Sequence, residues 1–374
     1  MDMNLRTICP CLAAALLAAC APRTPDVTTE PFGTLSTGEP VTLYRLSNGT
    51  GSSMEVIDYG CRVVRICVPD RNGRIDDVVV GYGDITSFET GSERFFGALI
   101  GRYGNRIGGA SFPLDGDTVR LTANECLAGC PGHLHGGTKG FDRVMWQGEP
   151  LLEADRAGVR FSRLSPDGEE GYPGTLTLSV RFCWKGDSFC IHYHAETDQD
   201  TILNLTNHSY FNLNGKGDVQ KQLLKIHADL FTPNDDVCLP TGEIRPVAGT
   251  AMDFRRFKAI GQDADNDEDC VRASRGYDAN FILDGSIPAV TARSPESGIV
   301  MQVTTDQPGV QLYTANGMGP VSGKNGQVYG HRAAFCLETQ HYPDCIHHPD
   351  WPSCILRAGE AFDSTTVYAF SVDE

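Results

Sequence analysis

The residues in this chain best suited to move protons are one histidine and one glutamate, each set in an otherwise apolar segment. His208 lies within Asn204-Leu205-Thr206-Asn207-His208-Ser209-Tyr210-Phe211-Asn212-Leu213, and Glu338 follows Phe335-Cys336-Leu337. An imidazole titrates near neutrality and can pass a proton in either direction. A glutamate at the end of an apolar strand loses part of its hydration, which raises its pKa towards the range of a working base. The bland alternatives are a structural histidine and a buried salt bridge. The run of polar positions around His208 favours chemistry over the first.

Other polar groups fall among apolar or small residues, where burying them is costly unless they are paired or used. Asn105 and Arg106 sit in Gly101-Arg102-Tyr103-Gly104-Asn105-Arg106-Ile107-Gly108-Gly109. A guanidinium there presents a planar fork of donors to ligand oxygens, or else holds a loop. His133 and His135 of His133-Leu134-His135-Gly136-Gly137 share a face if that segment is extended. Two imidazoles are too few for a zinc site, so hydrogen bonding to a polar ligand fits better. Tyr210 shares a face with His208 if that segment is a strand. Asp253 in Gly249-Thr250-Ala251-Met252-Asp253-Phe254 and Asp278 in Gly276-Tyr277-Asp278-Ala279-Asn280-Phe281 are carboxylates in apolar company. Each accepts hydrogen bonds from a partner or a ligand, or caps a turn.

The elements that hold these residues read as short strands. Thr175 to Phe182 alternates polar and apolar with period two, and so does Ile191 to Glu196. The 41 glycines and 21 prolines are spread along the chain and mark frequent turns. No long amphipathic helix, repeat or low-complexity segment interrupts the pattern. The expected architecture is all-β, a large and mostly antiparallel β-sandwich. The acidic run from Asp263 to Asp269 has a calcium-loop rhythm. Glu268 stands where such a loop needs glycine, so a solvated surface loop is the better reading.

With 374 residues, 40% hydrophobic and 21% charged, the chain has an ordinary globular composition. A net charge of -17 argues against nucleic acid as a partner and against a phosphorylated substrate. Residues 1–20 read as a lipoprotein-type signal peptide: Arg6, then an apolar run from Cys11 to Ala19 too short to span a bilayer, ending Leu17-Ala18-Ala19-Cys20. Residues 21–31, with Pro22 and Pro25, read as a flexible tether, leaving 32–374 as the folded domain. The expected location is the bacterial envelope or periplasm, with a lipid anchor as the sole membrane attachment. Of 14 cysteines, Cys9, Cys11 and Cys20 belong to the leader and an odd number remains. Cys61, Cys67, Cys183 and Cys190 read as small buried hydrophobes. Cys126 and Cys130 are a close loop pair for which a disulfide is open.

Taken in order, Val68-Pro69-Asp70-Arg71-Asn72-Gly73, GALIGRYGNRI, LHGGTKGFD, NLTNHSYFNL, GTAMDF, GYDANF, QPGVQLYTAN and CLETQHYPD resemble the aldose 1-epimerase (galactose mutarotase) family over roughly Phe32 to Val372. The resemblance implies a galactose mutarotase-like sandwich. It implies that His208 protonates the ring oxygen of a free aldohexose such as galactose or glucose, and that Glu338 takes the proton of the anomeric hydroxyl. Arg106, His135 and Asp278 would hold the sugar, with Asn105, Tyr210 and Gln311 lining the same pocket. Asp253 would be structural. The implied chemistry calls for no cofactor and no catalytic metal; a structural calcium ion stays open, and a monomer is expected. The chain departs from the family pattern in the longer loop from Glu125 to His133, in Ala279 where histidine is common, and in Cys61. A surface-anchored sugar-binding protein without catalysis is the main alternative. A glycosidase would want two carboxylates flanking one bond, and a hexose-phosphate epimerase would want a basic cluster.

Overall fold

The computed structural model describes residues 24–127 and 129–373. The signal-peptide reading, Cys20 included, lies outside the described residues. The tether reading needs correction: residues 26–31 belong to the strand Asp26–Thr34, which pairs antiparallel with Pro40–Ser47 from Asp26↔Ser47 onward. Its side chains are almost all solvated, with Val27 packed against the core. An edge strand of that kind has no apolar alternation to read, and it resembles a linker in composition alone.

The largest sheet has nine strands, in the order Gln147–Glu153, Arg156–Ser165, Leu176–Lys185, Ser188–Thr197, Ala361–Val372, Ile299–Thr305, Val290–Arg293, Leu223–Ile226 and Lys258–Ala259. Every neighbour is antiparallel. The two segments read from their alternation both lie in this sheet. Their even-numbered and odd-numbered apolar residues, Leu178, Val180, Phe182, Ile191 and Tyr193, point inward and are buried. Two five-stranded sheets, one three-stranded sheet and five two-stranded pairs accompany it among the described residues. One five-stranded sheet is the amino-terminal meander from Asp26 to Asp77. The other runs Arg245–Pro246, Leu230–Thr232, Asp278–Ile282, Gly309–Tyr313 and Cys336–Gln340. One hydrophobic cluster joins Val56, Phe161, Val180, Phe281 and Leu337, residues from these three larger sheets. Among the described residues, helix is confined to short turns such as Ile85–Thr90 and Asp269–Arg272.

The second five-stranded sheet sets the site through its pleat. Ala279, Phe281, Val310, Leu312 and Leu337 face the main core. Alternation therefore turns Asp278, Asn280, Gln311, Tyr313 and Glu338 to the opposite face. The acidic run from Asp263 is a surface loop whose carboxylates meet cations: Asp263 with Lys258, Asp265 with Arg332, Asp269 with Arg245. Cys126 and Cys130 lie on one tight hairpin, with Cys126 opposite Pro131 and Leu127 opposite Cys130. The two thiols thus sit on opposite faces of the ladder and are free. Cys61 and Cys183 are buried, as expected; Cys67 and Cys190 are half-buried.

Candidate active site

Three separate elements bring His208 and Glu338 together. His208 ends the short strand Thr206–His208, held by pairing with Ala98–Ile100. Glu338 stands mid-strand in Cys336–Gln340, opposite Gln311. The expectation placed it at a strand end; in the fold it is central, and only 2% exposed. His208 Nε2 lies 3.6 Å from Glu338 Oε1, close enough to exchange a proton through a bound hydroxyl but too long for a good direct hydrogen bond. His208 Nδ1 and Glu338 Oε2 are buried with no hydrogen-bond partner. Buried atoms without a partner recur elsewhere, as at Arg62 Nε and Gln340 Oε1, so it is the meeting of these two at one cleft that points to a ligand.

Burial acts on both groups in opposite directions. It pushes the His208 imidazole down to about 3, with Arg62 adding to the effect. It raises Glu338 well above the usual carboxylate range; Asp278 raises it further and Arg106 opposes. Both shifts favour the uncharged form. The His208 ring is stacked between Tyr210 at 4.8 Å and Phe95 at 5.9 Å, which fixes the plane of its nitrogens.

Around the pair lies an open cleft of about 190 Å³. It is lined by Glu93, Phe95, Asn105, Arg106, Leu134, His135, His208, Tyr210, Asp278, Tyr313 and Glu338. Asn105, Arg106, His135, Tyr210 and Asp278 are therefore gathered as the sequence suggested. Gln311 stands behind the wall: its Nε2 donates to Asp278 Oδ1 at 2.6 Å, and its Oε1 is buried without a partner. Arg106 is held from outside by Glu125, Nε to Oε2 at 2.8 Å and Nη2 to Oε1 at 3.0 Å.

His135 shows how the loop is built. Its φ is 51°, and that of Asn105 is 63°. Left-handed conformations at non-glycine residues are costly and concentrate at functional sites. The two hold each other: Asn105 N–H donates to His135 Nδ1 and His135 N–H to Asn105 O, each at 3.0 Å. Gly136 next to it is required, since a Cβ would lie 1.8 Å from the Gly101 carbonyl oxygen. Because Nδ1 accepts, the ring proton sits on Nε2. The ligating atoms of His135, His208 and Glu338 lie within 4.8 Å of one another. A protonated Nε2 makes His135 a donor to an oxygen and a poor metal ligand.

One pairing read from the sequence fails. The strand ends at Leu134, and the left-handed turn at His135 breaks the shared face with His133. His133 is fully buried, bonded through Nε2 to the Tyr172 hydroxyl at 2.6 Å and through Nδ1 to Thr122 O at 2.8 Å. Asp253 pairs with Arg255 away from the cleft. Glu93, Phe95, Leu134 and Tyr313 escaped the sequence reading. Tyr313 was accessible to it, being two residues beyond Gln311 on the same strand face. Glu93 and Phe95 precede Gly97 in a loop with no periodicity to follow.

Comparison with known proteins bears on this geometry. The aldose 1-epimerase family model matches residues 42–369. Human galactose mutarotase is 40% identical over 354 residues, covering 93% of this chain and 99% of the human protein. Aldose 1-epimerase of Escherichia coli is 34% identical over 343 residues, covering 89% and 96%. The crystal structure of galactose 1-epimerase from Lactobacillus acidophilus superposes with a TM-score of 0.82 at 26% identity, covering 94% of this chain and all of that one.

Proposed function

Since this chain belongs to the aldose 1-epimerase family and is an isomerase of the mutarotase kind, we propose that its cleft interconverts the α and β anomers of free aldohexoses such as galactose and glucose, with His208 and Glu338 carrying the protons. The observation that supports this most is the apposition of two buried, unpartnered groups of opposite proton affinity at 3.6 Å. A protein that only bound sugar would have no use for such a pair.

The proton count is the centre of the mechanism. Before sugar binds, burial favours neutral His208 with protonated Glu338. Imidazolium with carboxylate carries the same number of protons and is the form that acts. Binding selects it by setting the ring oxygen against His208 and the anomeric hydroxyl against Glu338, each strengthening the charged form of its neighbour. Glu338 then takes the anomeric proton, the bond from C1 to the ring oxygen breaks, and His208 protonates that oxygen. The pair is left uncharged, the state that burial prefers, so the site assists ring opening. Rotation about C1–C2 turns the other aldehyde face inward. Glu338 returns its proton to the carbonyl oxygen while His208 takes back the hydroxyl proton, and the ring closes as the other anomer. Atoms and protons balance between the sugar and the pair, so the cycle calls for no cofactor. Arg106, His135 Nε2–H and Asp278, steadied by Gln311, fix the sugar hydroxyls, and Asn105 holds His135.

Polarimetry on fresh α-glucose or α-galactose tests the reading. Mutarotation well above the spontaneous rate is expected, and no acceleration with either sugar would refute it. We also propose export and lipidation at Cys20, on the strength of the Leu17-Ala18-Ala19-Cys20 sequence. Labelled fatty acid should enter the wild type and not Cys20→Ala; label in both would exclude this.

A further inference from the structure

Carboxyl groups outnumber cations in the lining of the cleft. Glu93, Asp278 and Glu338 all line it, and Arg106 is the one lining cation among the described residues. That cation is already matched, because Glu125 takes two of its donors in a fork. Arg94, beside Glu93 in sequence, turns the other way and is held bidentate by Asp142, at 2.7 and 2.8 Å. Both cleft histidines are kept neutral, His208 by burial and His135 by burial and then by His208 and Arg106. Asp278 has Gln311 as its partner, and Glu338 is engaged in proton transfer. Glu93 has no such employment. Its backbone N–H donates to the Tyr82 hydroxyl at 3.0 Å, but its half-buried carboxylate has no hydrogen bond or ion pair among the described residues. Burial raises its pKa and no other cause contributes, as befits a carboxylate facing a cavity without a cation.

We propose that this cleft sorts aldoses by charge, and that Glu93 is the residue through which it accepts cationic amino aldoses as substrates beside neutral ones. An ammonium group on the sugar supplies the missing partner of Glu93 and offsets the surplus of carboxylates. A sugar carboxylate or phosphate meets the same surplus and is repelled, since the arginine that would receive it is bound to Glu125. The inference rests on the mutarotase reading and adds to it the charge class of the substrate.

Polarimetry with glucose, galactose, 2-amino-2-deoxyglucose and galacturonate tests it. The measurement is made at about pH 6, below the value near 8 at which an amine beside electron-withdrawing groups titrates. The wild type should turn over the amino sugar with kcat/KM at least equal to that for glucose, and galacturonate should be rejected relative to galactose. In Glu93→Gln the ratio of amino sugar to glucose should fall roughly three- to tenfold, the scale of a half-exposed ion pair. Glu93→Asp, which keeps the charge, should hold the ratio closer to wild type. Turnover of glucose without the amino sugar, equal use of galacturonate and galactose, or an unchanged ratio in Glu93→Gln would each overturn the proposal while leaving the mutarotase reading intact. Failure on every sugar would instead overturn the mutarotase reading.

Discussion

Two clusters of buried ionisable groups lie at the two ends of the loop that carries Glu93 to Phe95, and they are built in opposite ways. In one, Asp142 is fully buried and receives a bidentate fork from Arg94. Arg62, also fully buried, gives its terminal nitrogens to the carbonyls of Arg94, Phe96 and Asp142, and only its Nε is left over. In the other, His208 and Glu338 are as deeply buried but stand 3.6 Å apart with a free atom each. Burial alone therefore does not distinguish structure from chemistry here. The two clusters differ in satisfaction: the charges of the first are matched and hydrogen-bonded and hold a loop, whereas the groups of the second face a cleft with an unpartnered atom each.

The sharpest way to break this contrast is to exchange a member of each cluster. Glu338→Gln should lower the mutarotation rate about 10²- to 10⁴-fold, the usual contribution of one acid or base. Its stability in chemical denaturation near pH 8 should equal or exceed that of wild type. The native pKa of Glu338 is raised, so its ionised form costs most at high pH. A large loss of stability would mean that Glu338 is structural after all. Asp142→Ala should do the reverse. It strands two arginines, one of them fully buried, and should cost about 3–5 kcal/mol in unfolding free energy. A stable Asp142→Ala protein would remove the distinction between the clusters.

A titration of stability sharpens the comparison further. His208 has a native pKa depressed from 6.5 to about 3, so between those values the unfolded chain binds a proton that the native site refuses. Stability should fall as pH drops through that window, by up to about 1.4 kcal/mol per pH unit for this group. His208→Gln should show a shallower acid limb by that amount. A steeper limb would mean that the site already holds imidazolium against carboxylate before sugar binds.

How much of this was legible in the sequence follows from the range of each signal. The period-two alternation of Leu178, Val180 and Phe182 announced the large sheet because burial of one sheet face writes itself locally. The strand from Asp26 was missed because an exposed edge strand buries too little to leave a pattern. His208 and Glu338 stood out as polar groups in apolar runs, but their 3.6 Å approach depends on pairings remote in sequence, His208 with Ala98 and Glu338 with Gln311. The false pairing of His133 with His135 came from assuming extended backbone through a residue whose φ is positive. Glu93 was hidden for the same kind of reason. It lies in an irregular loop, and its significance is the lack of a partner, which only the fold reveals.

The smallest expected effect falls on the hairpin from Glu125 to Leu134. Glu125 touches Arg106 and not the reacting atoms, so it is a positioning residue. Both side chains are nearly buried, at 17% and 14% exposure, and the fork fixes where the remaining Arg106 nitrogen points. Glu125→Gln keeps the shape and loses the charge. It should raise KM for galactose roughly two- to fivefold and leave kcat within about twofold, because a loosened clamp weakens ground and transition states alike. Releasing Arg106 should also lessen the rejection of galacturonate. A matching loss in kcat instead would place Glu125 among the groups that act on the transition state, and the satisfied and unsatisfied clusters would then no longer divide the work between holding and reacting.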